Sequence, residues 1–235
     1  LSIEQADMAQ ASALAFAAPT GQGRLALDMQ LEGKGRSWLA LVSSLSGAGK
    51  FAAEEGHLNG FDLAAFSRGL SALREPDDFA VLKETTLEEG QTPFNRVAAG
   101  FEVEEGLLES EPLALAVLAS PGASGKIYAD IARLRGDVEL TLPLTGPENV
   151  PALDFMAAGP LRDMRARFDT GAVERFVSRQ LLARQMEEAG VEDLPEELEE
   201  LIGAPPAEND NEAGGERLEN APDAPTPLER PGRAS

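Results

Sequence analysis

The chain has 235 residues, enough for one sizeable domain or two small ones, and 43% of them are apolar, a fraction typical of globular proteins. Its net charge of −21 argues against nucleic acid as a partner and against electrostatic docking on an anionic membrane surface, because Lys and Arg mediate both. Cysteine is absent, which excludes disulfides, a Cys-ligated zinc site and a thiol nucleophile.

The negative charge is concentrated near the C-terminal end. Residues 187–235 carry 15 acidic and 3 basic side chains, which leaves a net charge of −9 on residues 1–186. The chain begins with Leu1 rather than Met, so we expect a fragment or a processed product. No signal peptide is visible, and no stretch reaches the roughly 20 apolar residues of a membrane-spanning helix, so any membrane anchor is expected upstream of Leu1.

The first part of the chain predicts a helix followed by a β-hairpin. Residues 3–17 are rich in Ala and contain neither Gly nor Pro, which predicts a short helix. Residues 24–32 alternate apolar and polar side chains, which predicts a strand with one apolar face. After a turn at Gly33 to Gly35, residues 37–45 are predicted to return as the second strand, and residues 50–54 to form a short extended piece.

Two helices are predicted next. Residues 61–73 place their apolar side chains at helical spacing, and Asp62 or Asn59 can cap the first turn. Residues 76–89 begin with Pro76, which suits the first turn of a helix.

From Thr92 onward the period of two returns. Strands are predicted near residues 92–103, 113–117, 126–135, 138–144, 152–158 and 162–169. Short turns that contain Gly separate several of them, which favours antiparallel pairing over parallel crossovers.

An amphipathic helix is predicted over residues 171–189, with a short acidic helix over residues 194–202. The predicted fold class is α+β and mostly antiparallel β: a curved, one-sided sheet with a few packed helices and a disordered C-terminal tail. The predicted domains are a β-rich domain over 1–169, an amphipathic helical segment over 170–202 and a disordered acidic tail over 203–235.

No residue pattern indicates catalysis. His57 is the only histidine and is predicted to be a solvated turn residue, without a second ligand or nucleophile at a fixed distance. Gly47 to Lys50 is similar to part of a phosphate-binding loop, but Ser44 and Phe51 stand where that motif requires Gly and Ser or Thr, so we interpret it as a turn. The acidic pairs lie at turns and helix ends, where solvated charge is the ordinary explanation. We therefore predict no catalytic residue, no metal site and no cofactor.

The recurring apolar stripes leave two readings open, because a one-sided strand must bury its apolar face against something. In the first, the helices at 61–73 and 171–189 cover that face and complete a core, and periodicity alone favours it. In the second, part of the sheet remains a groove for acyl chains. The lipid-contacting side chains would then be Leu25, Leu27, Met29, Leu31, Val138, Leu140, Leu142 and Leu144.

An ordered series of short elements lies within residues 45–145. Gly56-His57-Leu58-Asn59-Gly60-Phe61-Asp62-Leu63 precedes a helix, Gly90-Gln91-Thr92-Pro93-Phe94 opens a strand, and Phe101-Glu102-Val103-Glu104-Glu105-Gly106 ends in a turn. Gly125 to Ile131 and Val138 to Leu144 complete the series. In this order and spacing the elements resemble the C-terminal domain of the AsmA family of bacterial envelope proteins.

This resemblance implies a non-enzymatic periplasmic module, anchored in the inner membrane by a helix upstream of Leu1. It implies phospholipid as the partner, a β-groove for phospholipid transfer, and a role in assembly and homeostasis of the outer membrane. The alternative is a structural domain that closes its own core, binds protein partners, for example through the helix at 171–202, and assists outer-membrane protein assembly without lipid. A hydrolase with an acidic site ranks last.

Overall fold

The computed structural model describes residues 2–10, 21–117 and 119–188, which form an open antiparallel sheet with helices packed on one face. The strands are β1 Ser2–Asp7, β2 Gly21–Glu32, β3 Ser46–Asn59, β4 Gln91–Glu104, β5 Leu107–Ser110, β6 Ala114–Val117, β7 Ser124–Asp130, β8 Arg135–Leu142, β9 Leu153–Pro160 and β10 Arg165–Asp169. The helices are α1 Trp38–Val42, α2 Leu63–Leu70, α3 Pro76–Leu87 and α4 Gly171–Glu188.

The sheet runs in the order β1-β2-β3-β4-β5-β7-β8-β9-β10, and β6 pairs with β4 beside β5. Each pairing is antiparallel, and the sheet is curved. It is not closed into a barrel, because β1 and β10 are outer strands that do not pair with each other. The predicted fold class, a mostly antiparallel and curved sheet with a few packed helices, is confirmed.

One face of the sheet is apolar and the other is polar. In β2 the apolar residues from Leu25 to Leu31 are half-buried, whereas the polar residues between them are exposed. Leu25 pairs with Ala53, and Ala53 pairs with Val97, so the apolar face continues across β3 into β4. On the opposite face lie exposed ion pairs such as Arg24 with Glu55, which contribute little to stability.

Helices α2, α3 and α4 cover the centre of the apolar face. Leu63 and Phe66 of α2 and Val173 of α4 are fully buried in one core that also includes Leu153 of β9. The Asp62 carboxylate caps α2 by accepting a hydrogen bond from the Ala65 N–H at 2.8 Å. The predicted helices at 61–73, 76–89 and 171–189 are therefore present; the first two are shorter than predicted, and the third is helical over all of its described residues.

A buried threonine joins α2 to the sheet. The Thr92 hydroxyl donates to the Phe61 carbonyl oxygen at 2.8 Å and accepts from the Leu63 N–H at 3.0 Å, and Thr92 is only 1% exposed. This is the threonine of the Gly90 to Phe94 element. Its hydroxyl fixes the chain segment that enters α2.

The first third of the chain differs from the sequence-based predictions. Residues 3–7 form strand β1 rather than a helix, because β2 offers them backbone partners, as in the pairing of Ile3 with Leu27. Residues 8–10 are helical, with the Asp7 carboxylate accepting from the Ala9 N–H, and residues 11–17 of the predicted helix lie outside the described residues.

The predicted strand at 37–45 is also wrong. Residues 38–42 form helix α1, whose N-terminus is capped by the Ser37 hydroxyl, and the returning strand is β3. Residues 47–50, interpreted as a turn, lie inside β3, where Gly49 pairs with Phe101. The expected acidic helix at 194–202 and the expected disordered tail at 203–235 lie outside the described residues.

Candidate functional site

The apolar face is left open as a cleft of about 740 Å³ between strands β7 to β10 and the C-terminal end of α3. Its walls come from the end of β3 and the segment that follows it, from α3, and from the sheet. The lining side chains that carry the apolar character are Leu58, Phe61, Leu87, Ile127, Val138, Leu140, Phe155, Ala157, Met164, Ala166 and Phe168. The volume is within the range of about 300–1,000 Å³ that is usual for small-molecule sites.

The floor of the cleft consists of two adjacent rows of cross-strand neighbours. In one row Ile127, Val138, Ala157 and Ala166 follow one another from β7 to β10. In the other row Leu140, Phe155 and Phe168 follow one another from β8 to β10. The small side chains of Ala157 and Ala166 leave space above the floor of the cleft.

Three phenylalanines form a cluster at one side of the cleft. The Phe155 and Phe168 ring centroids lie 5.0 Å apart, and the Phe61 centroid lies 5.2 Å from Phe168 and 6.1 Å from Phe155. These separations and tilted orientations are those that favour aromatic pairs. Because Phe61 is held by the Thr92 hydrogen bond to its carbonyl oxygen, the cluster joins the cleft wall to β4.

Charged side chains lie at the rim of the cleft. Lys83 of α3, Glu88 directly after α3 and Arg167 of β10 line the cleft, and each of them is exposed. Because Arg167 alternates with Ala166 and Phe168 along β10, its side chain leaves from the opposite face of the sheet, and Lys83 is the cation on the side of the cleft. Within the described part of the chain, neither Lys83 nor Arg167 forms an ion pair. An apolar interior with a cation at its edge suits a ligand that has an apolar tail and an anionic head.

The cleft ends where β8 enters the core. Val138 and Leu140 are half-buried, whereas Leu142 is 3% exposed and pairs with Leu153, which is fully buried. The same apolar stripe of β8 is therefore open at one end and covered at the other. Along this one strand the helices cover Leu142 fully, whereas Val138 and Leu140 remain partly uncovered.

The eight lipid-contact candidates are distributed over three places. Val138 and Leu140 line the cleft, Leu142 lies in the core, and Leu144 packs against the core, as Leu140 and Leu25 also do. Leu25, Leu27, Met29 and Leu31 lie on the same face of the sheet but on β2, which β3, β4 and β5 separate from β7.

Several lining residues were not singled out from the sequence. Phe155 and Ala157 alternate in a predicted strand, so their shared face was visible in the pattern. The sequence pattern did not show that Phe61 and Leu87 lie beside strands β7 to β10. Each is brought there by the packing of a helix from a distant part of the chain.

The other candidate residues lie apart from the cleft. His57 is half-buried within β3, between Gln22 and Pro93, so the prediction of a solvated turn residue is wrong.

Within residues 2–10, 21–117 and 119–188, no group of three His, Asp or Glu side chains could hold a metal ion. Asp78 has a lowered pKa because its carboxylate accepts hydrogen bonds from the backbone N–H groups of Arg74 and Glu75, but it lies at the start of α3, outside the cleft.

Comparison of the chain with protein-family models, with curated proteins and with solved structures gave no match. In the described residues, no helix has both the length and the apolar character needed to cross a membrane.

Proposed function

We propose that this chain is a non-enzymatic, lipid-binding module of an AsmA-like envelope protein, located in the periplasm and anchored to the inner membrane through a segment upstream of Leu1. In this proposal the module contributes an apolar β-groove to phospholipid transfer and to the assembly and homeostasis of the outer membrane. The observation that supports it is the open apolar cleft over β7 to β10, which contains the predicted contacts Val138 and Leu140.

The shape of the cleft favours an acyl chain over a compact polar substrate. Its floor is two rows of aliphatic and aromatic side chains along neighbouring strands, and its polar groups lie only at the rim. Burial of apolar surface contributes roughly 25 cal/mol per Å², so an acyl chain in this cleft gains free energy along its length without a specific polar partner. Lys83 can then pair with a phosphate at the edge of the cleft.

The experiment is to measure bound lipid in the purified full chain by native mass spectrometry, and then to fill the cleft. Ala166 is exposed, lines the cleft and lies on its floor, so the A166W substitution should occupy the space of the ligand without opening the core. We expect phospholipid to copurify with the unaltered chain and to be lost from A166W.

The matched control is Ala116→Trp, because Ala116 is exposed on β6 and lies away from the cleft. This variant should retain lipid as the unaltered chain does. Two results together would refute lipid binding in the cleft. Repeated preparations of the unaltered chain would contain no lipid, and the two variants would bind an added fluorescent phospholipid equally well.

A second candidate is a structural domain that assists assembly of outer-membrane proteins without lipid. It is favoured by the extent to which α2, α3 and α4 already cover the centre of the apolar face. Under this alternative the cleft is a docking groove for a protein segment, and copurifying envelope proteins rather than lipid should be displaced by A166W.

A further inference from the structure

Four connections meet at one end of the sheet and form a continuous row, here called the loop rim: residues 33–45, 105–106, 131–134 and 161–164. Three backbone hydrogen bonds join them. The Gly106 N–H donates to the Leu45 carbonyl oxygen at 2.9 Å, the Ile131 N–H to that of Gly106 at 2.9 Å, and the Leu161 N–H to that of Leu134 at 2.8 Å. The loop rim is therefore one connected surface rather than four separate turns.

The loop rim carries large apolar side chains that nothing in the described structure covers. Trp38 is 79% exposed, Leu39 61% and Leu134 58%. In the described part of the chain only four large apolar side chains are more than half exposed, and three of them lie here. Trp38 and Leu39 are adjacent in the chain, and exposed apolar side chains that lie together usually mark an interaction site.

The charge of the loop rim is opposite to that of the rest of the chain. Its four segments contain four basic and two acidic side chains, and with the Asp130 carboxylate that neutralises Arg133 the net charge is +1 in a chain of −21. Arg133 is bound to the buried Asp130 carboxylate at 2.8 Å. Within the described residues, Lys34, Arg36 and Arg162 have no such ion pair and are exposed.

The segment that presents Trp38 is held in place. The Ser37 hydroxyl caps α1 by accepting from the Ala40 N–H, and the Ser44 hydroxyl accepts from the Lys34 N–H at 2.7 Å. On the inner side of α1, Val42 is 3% exposed. Trp38 and Leu39 are thus presented outward on a preformed element, which reduces the entropy lost on binding.

We propose that the loop rim docks on an anionic phospholipid bilayer, with Trp38 and Leu39 at the level of the headgroups and Lys34, Arg36 and Arg162 against the phosphates. Trp favours the membrane interface because its ring is apolar and its N–H is polar, and neighbouring cations add attraction to anionic lipid. The acidic surfaces beyond about 10 Å from the bilayer are screened by salt, so the total charge does not prevent docking of this end. The proposal is independent of the cleft.

The test uses Trp38 itself, since it is the only Trp in the chain. The full chain is mixed with phosphatidylcholine vesicles that contain or lack phosphatidylglycerol, and Trp emission and vesicle flotation are recorded. We expect a shift of the emission to shorter wavelength and co-flotation with the vesicles that contain phosphatidylglycerol, both weakened by added salt.

Two matched pairs of variants locate the contact. Lys34→Gln with Arg36→Gln should weaken binding about 25-fold, on the basis of the contribution of each cation near the surface. Arg68→Gln with Arg175→Gln, which removes two exposed cations from α2 and α4, should leave it unchanged. Leu39→Ser should weaken flotation severalfold, whereas Val81→Ser, which removes an equally exposed apolar side chain from α3, should not.

Three results would overturn the proposal. One is an unchanged Trp emission in the presence of both kinds of vesicle. Another is equal loss of flotation in a variant and its matched control. The third is an emission shift that depends on protein concentration without vesicles, which would assign the loop rim to contact between copies of the chain.

Discussion

The hydroxyl of Thr92 should stabilise the domain through its two buried hydrogen bonds, and Thr92→Val tests this directly. Valine has nearly the same shape but removes both hydrogen bonds, leaving the Phe61 carbonyl oxygen and the Leu63 N–H without their partner in a buried setting. Each buried polar group left unsatisfied costs about 1–3 kcal/mol, so we expect the free energy of unfolding to fall by roughly 2–4 kcal/mol. The measurement is urea denaturation monitored by far-ultraviolet circular dichroism. The dependence of the unfolding free energy on urea concentration should be the same in both proteins, which shows that they unfold in the same transition.

Two further variants separate the hydroxyl from other effects. Thr92→Ser keeps the hydroxyl and loses one methyl group, so it should cost only about 1 kcal/mol. Thr141→Val removes a hydroxyl whose hydrogen bond to Asp154 is exposed, so its effect should stay within about 0.5 kcal/mol. A loss in Thr92→Val no greater than in Thr141→Val, or a loss in Thr92→Ser as large as in Thr92→Val, would refute the reasoning.

Three other predictions follow from the packing and the capping. Gly49→Ala should reduce the free energy of unfolding by about 1–3 kcal/mol, because a Cβ there would collide with the Phe101 ring and with the Met29 side chain; an unchanged denaturation midpoint would show that this ring moves freely. Leu153→Ala should cost about 2–5 kcal/mol, because the side chain is fully buried in the core, and a smaller loss would mean that the core collapses around the cavity. The backbone N–H groups that lower the pKa of Asp78 stabilise α3 above the ordinary Asp pKa of about 3.9, and this stabilisation is lost as the pH falls through the lowered value. Unfolding measured between pH 2 and 6 should therefore show a smaller pH dependence in Asp78→Asn than in the unaltered chain, and equal curves would contradict the assignment.

Much of the fold could be predicted because the determining signals are local. In β2 the alternation of apolar and polar residues over Leu25 to Leu31 is sufficient to define a one-sided strand, since successive side chains of a strand point to opposite faces. In α2, Asp62 and the helical spacing of Leu63, Phe66 and Leu70 define the start of the helix and its buried side.

The sequence-based predictions that proved wrong concern short segments in which local and distant signals compete. Residues 3–7 have the composition of a helix, yet the open edge of β2 pairs with them as a strand. Residues 38–42 are a short apolar run, and such a run does not distinguish a strand from a helix by periodicity. The Ser37 cap and the burial of Val42 decide in favour of the helix.

The sequence by itself determined that this chain has strands with one apolar face and helices that can cover that face, because both properties depend on residue spacing within a single element. Only the tertiary structure decided which part of the apolar face the helices cover. Leu142 is buried and Val138 is open because α2, α3 and α4 pack over the centre of the sheet, while Phe61, Phe155 and Phe168 meet from three separate parts of the chain. The loop rim has the same origin, since its connections become one surface only when the strands between them are in register.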